Sequence, residues 1–160
     1  MKAVMKGCLV LLMCILIPFG IAESMNNPAP MRLPQDKLEG KGLGEFAPWP
    51  SSMIISGESR HSLSELFNGE IVVGVYQSEP IKLNISTPWP FDELVMVQQG
   101  ELQLHATGSD QPEIYPAGSM VIVPKGYTGT WEMLGDYREV WVVENNAYVA
   151  SQEPGGLLSE

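Results

Sequence analysis

The strongest constraint on this chain is a succession of short runs rich in Val, Ile, Tyr and Trp, each stopped within a few residues by Gly, Pro, Asp or Asn. The runs are Met53–Ser56, Ile71–Gln77, Ile81–Ile85, Glu93–Gln99, Glu101–Ala106, Glu113–Tyr115, Ser119–Val123, Gly129–Met133 and Tyr137–Glu144. β-branched and aromatic residues suit a pleated, half-buried surface, and turns at this frequency predict an all-β sandwich or barrel. Only Ser62–Asn68 reads as a short helix. Several runs are apolar on both faces: in Glu93–Gln99, Val95 and Val97 point one way, Leu94 and Met96 the other. Such a strand needs a second sheet or a partner chain over its outer face. The 160 residues suffice for one core, not two.

The flanks read differently. Glu23–Ser51 carries Pro28, Pro30, Pro34, Pro48 and Pro50 with Gly40, Gly42 and Gly44. No helical or strand period survives that density of breakers, so the segment reads as an extended arm, either disordered or lying along a partner subunit. Glu153-Pro154-Gly155-Gly156 reads as a frayed tail. The expected organisation is a leader over 1–22, an arm over 23–51, the β domain over 52–146 and a tail over 147–160.

The leader reading rests on Lys2 and Lys6, the apolar run Cys8–Ile21, and small residues in Gly20-Ile21-Ala22. Basic start, short apolar run and small-residue exit make an export signal, cut after Ala22 or after Ser24. The 14-residue run falls short of the roughly 20 residues a membrane span needs. The expectation is therefore a periplasmic or secreted protein with no stable membrane insertion after cleavage. Cys8 and Cys14 are the only cysteines, so the mature chain would hold no disulfide and no thiolate ligand. Removing the leader leaves 7 basic against 19 acidic side chains. A surface this acidic repels phosphates, which excludes nucleic acid as a partner.

Two spacings carry a family resemblance. One is Glu93, six residues, then Gly100, expected to open a tight turn into Glu101–Ala106; the other is Gly118, five residues, then Pro124-Lys125-Gly126. Together they resemble the two motifs of the cupin superfamily. The continuation through Tyr127-Thr128-Gly129-Thr130-Trp131-Glu132 resembles the single-domain group named after the (S)-ureidoglycine aminohydrolase cupin domain, as does Gly57-Glu58 leading to Gly74-Val75-Tyr76. The likeness spans Met53 to Glu144. It implies a single cupin domain, a small β-barrel of jelly-roll type, preceded by the Pro/Gly-rich arm.

The resemblance also implies where a metal would sit, and there this chain departs from it. Metal-binding cupins gather two His, a Glu and a later His inside the barrel, leaving open positions for substrate. Here Glu93 fills the Glu place; the earlier His places fall on Ser86 and Pro88, or on Thr87 and Trp89, and the late one on Gly129. The variant set of the ureidoglycine aminohydrolases falls on Thr87, Trp89, Glu93 and Gly129, and none matches. No resident transition metal or other cofactor is expected.

What remains is a cup. If Glu93 points inward, as its counterpart does in metal-binding cupins, alternation brings Val95 and Val97 in beside it. Trp131 and Met133 share a face with Gly129, while Trp89 and Tyr127 lie in loops that reach the barrel mouth. Glu93, Trp89, Val95, Tyr127, Trp131 and Met133 are thus the candidate ligand-binding residues; the plainer reading is that Trp131 and Met133 only fill the barrel. Buried there, Glu93 would have a raised pKa and is the candidate acid or base. His105 is a weaker catalytic candidate: it lies outside if Leu102 and Leu104 fill the core, and near Glu93 if the faces are reversed. His61 lies in a polar stretch and is expected to be solvated. Arg138 and Glu139 open the last strand; Glu139 stands where members of the resembled group tend to have Lys, and Arg138 is expected in a surface ion pair with Glu132 or Asp136.

Three functions follow. The first is an exported cupin binding a small organic ligand. The second is a hydrolase- or isomerase-like enzyme using Glu93 as acid or base, or an atypical metal site. The third is a structural, dimerising module. A homodimer is expected from the two-faced strands.

Overall fold

Two long strands carry the architecture. The computed structural model describes residues 29–153; the leader over 1–22 and the Pro154-Gly155-Gly156 part of the tail lie outside them. Strands β6 (Glu93–Ala106) and β9 (Gly129–Glu144) pair antiparallel along their length, from Glu93↔Val143 to Ala106↔Gly129. The sequence suggested two separate runs in each. The structure keeps each continuous and bends both at one level. The β6–β9 register shifts around Gln99, where Gly100 takes φ +74°, and Gly135 at φ +73° sits against it. Gly100 therefore does not open a tight turn. A glycine bulge turns the strand while the ladder continues on both sides.

Beyond the bends the sheet divides into two facing leaves. One runs β1 (Gly44–Glu45), β3 (His61–Asn68), β4 (Ile71–Ser78), the second half of β9, the first half of β6, and β8 (Met120–Val123). The other runs β2 (Ile54–Gly57), β5 (Ile81–Ile85), the first half of β9, the second half of β6, and β7 (Glu113–Pro116). This is the expected all-β architecture, a small jelly-roll barrel. Alternation sends Val95, Val97, Leu102, Leu104, Trp131, Met133, Tyr137 and Val143 into the shared core.

Three expectations change. Ser62–Asn68 is not a helix but most of β3, paired with β4 from His61↔Ser78 to Asn68↔Val72 with a bulge between Glu65 and Phe67. A local helix would have left the backbone groups along that edge of β4 unpaired, and the ladder satisfies them. The arm, over its described residues, lies on its own barrel. Its Gln35–Leu38 forms one helical turn, α1, and β1 pairs with β3 through Gly44↔Leu63 and Glu45↔Ser62. Trp49 then donates its indole N–H to the Tyr76 hydroxyl at 3.1 Å, and the Ala47 carbonyl meets His61 Nε2 at 2.8 Å. The breakers stop regular structure between them, but Phe46 and Trp49 supply apolar surface that anchors the segment on its own barrel.

The chain after 146 is also structured. Helix α2 (Asn145–Gln152) is capped by the Glu144 carboxylate, which accepts from the backbone N–H of Asn146 at 3.0 Å and of Ala147 at 2.7 Å. Tyr148, buried, stacks 5.3 Å from Trp141 and donates its hydroxyl to Glu65. A domain boundary at 146 would cut this helix.

The paired bends give a stability test. A Cβ at Gly100 would lie 2.4 Å from the Leu134 carbonyl oxygen, whereas at Gly118 (φ +92°) it meets nothing within 4 Å. Gly118→Ala should cost about 1–2 kcal/mol, the left-handed strain alone. Gly100→Ala adds a backbone clash and should cost on the order of 3 kcal/mol or more. Urea melts of the two variants should separate them in that order.

Candidate functional site

Between the leaves lies a cavity with about 60 Å³ open to the centre of a water-sized molecule. Leu83, Ile85, Trp131 and Met133 line it from one leaf; Leu63, Tyr76, Glu93, Glu139 and Trp141 from the other. The arm closes it with Phe46 and Trp49, the loop before β6 with Trp89 and Phe91, and α2 with Tyr148. Eight of these fourteen side chains are aromatic and none is basic, so the two carboxyls have no cation beside them in the cavity wall.

Glu93 is delivered by alternation, as the first inward residue of β6, and is 6% exposed. Its partner Trp89 is delivered by the second motif. The Trp89 backbone N–H donates to the Tyr127 carbonyl at 2.9 Å, and the Gly126 N–H donates to the Trp89 carbonyl at 2.8 Å. Asp92 reinforces the clamp by accepting from the Lys125 backbone N–H at 2.8 Å. The Pro124-Lys125-Gly126 turn thus holds the loop so that the Trp89 indole N–H donates to Glu93 Oε2 at 2.9 Å.

Glu139 was not among the candidates the sequence offered, and the structure adds it to the site. It is 5% exposed, on the inward face of β9 with Tyr137 and Trp141, and the Tyr137 hydroxyl donates to its Oε2. The flanking Tyr137, Trp141 and Val143 at two-residue steps were the available signal. Gly74, directly opposite Trp141, was a second: a Cβ there would lie 2.3 Å from the indole. Arg138 makes no ion pair among the described residues and lies beside Gln77 and Gly40, while Glu132 pairs with Lys82 at 2.8 Å.

Burial pushes the Glu93 carboxyl well above the ordinary range; Glu139 pushes it further, and the Trp89 N–H offsets part of this. Burial also raises Glu139, to about 7, against the pull of the Tyr137 hydrogen bond. Tyr137, buried next to two acids, is pushed far up and keeps its proton. The second oxygen of each carboxyl, Oε1, makes no hydrogen bond among the described residues. Two coupled acids of this kind hold or release a proton near neutrality and accept hydrogen bonds or positive charge from an occupant.

The other candidates divide. Trp89, Trp131 and Met133 line the cavity with Glu93. Val95, fully buried on the same face, lies in the core beyond its wall. Tyr127 is half-buried, donates its hydroxyl to the Thr130 carbonyl at 2.8 Å, and lines a separate outer cleft. His105 is outside: Leu102 and Leu104 fill the core, and His105 Nε2 meets the Ser109 carbonyl at 2.9 Å. His61 is not solvated but wedged among Phe46, Trp49 and Tyr76, and burial lowers its pKa. Tyr76, Trp141, Tyr148, Phe46 and Trp49 went unnoticed because their convergence is tertiary.

The residues do not fit a cupin metal centre. At Gly129, where the late His would stand, a Cβ would lie 2.1 Å from the His105 carbonyl oxygen, so this backbone admits no side chain. At Trp89 an indole N–H, which can only donate, meets the carboxylate. Among the described residues no three His, Cys, Asp or Glu side chains converge as a metal cluster.

No family model matches the chain, and a search of curated proteins gives no match. Solved structures do resemble it. A protein of unknown function from Pseudomonas syringae, of the DUF861 family, is 24% identical with a TM-score of 0.55, over 63% of this chain and 43% of that one. A cupin-like protein from Thermotoga maritima is 13% identical with a TM-score of 0.50, over 66% and 81%. A cupin superfamily protein from Desulfitobacterium hafniense is 16% identical with a TM-score of 0.46, over 71% and 98%. At these identities the likeness is one of fold, and the fold is that of the cupins.

The acid pair sets a pH dependence. Both carboxyls bind their protons more tightly folded than unfolded, so their contribution to stability is full below about 4.5 and is lost as pH rises through about 7. One such group loses roughly 1.4 kcal/mol per pH unit across that window. Urea melts at pH 5, 6 and 7 should show stability falling in the native protein. In Glu139→Gln, which keeps an acceptor for Tyr137, the fall should be shallower by about one proton.

Proposed function

We propose that this chain is an exported cupin that binds a small organic molecule inside its barrel, between the Glu93–Glu139 pair and the aromatic wall, without a resident transition metal. The observation that carries this reading is the pair itself: two buried acids, each with an oxygen unbonded, on a recess between the leaves lined by aromatic rings. Small-molecule sites are typically apolar with a few convergent polar groups. The leader-like start supports export. The Pro124–Glu132 run supports kinship with the ureidoglycine aminohydrolase-like group, but the absent ligand set gives no reason to transfer that activity.

A catalytic reading draws on the same pair. Two carboxyls with raised and coupled pKa values let Glu93 exchange a proton with a bound hydrolysable or isomerisable compound while Glu139 balances the charge.

Self-association is proposed on the outer face of the first leaf. Across β8, β6, β9, β4 and β3, the register aligns Ile122, Leu94, Val142, Val73 and Phe67 in one row, and Met120, Met96, Val140 and Val75 in the next. Met120 is 63% and Ile122 59% exposed. Val75 and Val140 are already covered within the chain, so the open part of this face is the β8 side with Met120 and Ile122, and an exposed apolar sheet edge of this kind suits a second copy.

Two measurements follow. A thermal-shift panel of small metabolites on metal-analysed protein should yield a binder at substoichiometric metal. Glu93→Gln should weaken that binder about tenfold or more, the scale of a charged hydrogen bond; no hit, or one metal ion per chain, overturns the reading. Light scattering should give a dimer, and the double variant Met120→Glu, Ile122→Glu a monomer of unchanged fold; a native monomer removes the self-association.

A further inference from the structure

The cavity carries two acids and no Lys, Arg or His in its wall. Like charges in so dry a space must be relieved, either by a proton or by a cation that enters. The Trp89 indole N–H and the Tyr137 hydroxyl each serve one carboxyl oxygen, the buried Trp141 indole N–H has no partner among the described residues, and none of them brings positive charge. The walls are what a cation tolerates best when stripped of water: Trp49, Tyr76, Trp89, Trp131, Trp141 and Tyr148 all line the cavity. Each ring whose face meets an ammonium group contributes about 0.5–2 kcal/mol. An anion would face the acids directly, and a neutral ligand would leave the pair to be relieved by a proton alone, whereas a cation answers the pair's charge itself.

The wall also grades the cations. A metal ion of the sodium or potassium kind needs a shell of oxygens, and the side chains here offer two carboxyls and little else. A primary ammonium carries three N–H donors against two unbonded carboxyl oxygens. A tertiary or quaternary ammonium presents one N–H or none, and its methyl groups need apolar contact, which the wall supplies. The available space, about 60 Å³ for a water-sized centre, limits the head group to a few carbons. The net charge of −10 favours the approach of cations.

We infer that the barrel is an organic-cation site that takes a small methylated ammonium head group, its charge between Glu93 and Glu139 and its methyl groups against the indoles of Trp89 and Trp131. This rests on the binding reading above and names its ligand class. The cation takes the place of a proton on the acid pair, so binding releases a proton. The other titratable groups at the cavity are the phenols Tyr76 on β4, Tyr137 on β9 and Tyr148 on α2, all shifted upward by burial, with His61 of β3 against Tyr76 and Trp49. None of these phenols adds a charge near neutrality.

The test titrates the full chain by calorimetry with tetramethylammonium, trimethylammonium, the neutral isostere tert-butanol, and pivalate. The methylated ammonium ions should bind at least tenfold tighter than tert-butanol, pivalate should not bind, and tetramethylammonium should tighten several-fold from pH 6 to pH 8. Glu139→Gln should weaken the cations at least tenfold and flatten the pH dependence while tert-butanol is unaffected. Glu93→Gln serves as the second variant should the first fail to fold. Tert-butanol or pivalate binding as well as the cations overturns the cation assignment and leaves the binding site standing. Silence from all four probes and from the metabolite panel overturns both.

Discussion

The structure depends on a coincidence of two bends. β6 and β9 are hydrogen-bonded to each other, so neither can turn alone without tearing the ladder between them. They turn together because Gly100 and Gly135 stand at the same level and both adopt a backbone that other residues resist. Past that level the halves of each strand belong to opposite leaves, and the cavity is what lies between. An unbent sheet would have presented the same apolar residues to water on one flat face.

The acid pair is a product of this geometry. Glu93 begins β6 and Glu139 lies past the bend of β9, so both fall in the same leaf and look at the same space. The segments that resemble the cupin motifs shape the loop and strand at the cavity. Their turn at Pro124–Gly126 brings an indole N–H to the carboxylate, and their glycine at 129 closes off the place of a side chain. The barrel thus keeps one polar centre, supplied with donors by tryptophan and tyrosine and surrounded by rings.

Much of the fold was legible because strand periodicity is local. Each run from Ile71 onward fell on a strand, with Val95 and Val97 inward and Leu94 and Met96 outward. What failed was whatever depended on a neighbour distant in sequence. Gly100 looks like a turn unless Gly135 is known to stand against it. Ser62–Asn68 looks helical unless the bare edge of β4 is known to need a partner. Glu139 was the instructive miss. Its alternation with Tyr137 and Trp141 was visible, but it stood out only as a charge reversed from the family pattern, and two-residue spacing alone does not say that an acid is buried. Glu93, Trp89, Trp131 and Met133 were found because they belong to a spacing pattern, whereas Phe46, Trp49 and Tyr148 reach the cavity from chain ends that the pattern does not cover.

One wall of the barrel is unlike the others. Phe46 and Trp49 are held by a two-residue ladder and a few hydrogen bonds (the Trp49 indole to Tyr76, the Trp49 backbone N–H to Ser59, the Ala47 carbonyl to His61), far fewer than join β6 to β9, so that segment can peel away at a fraction of the free energy needed to part those strands. The cavity then opens to solvent on this side at a cost set by residues 44–49, while its carboxyls and rings stay fixed by the strands beneath, so mutation of the strap changes how often the interior is wetted without changing the scaffold.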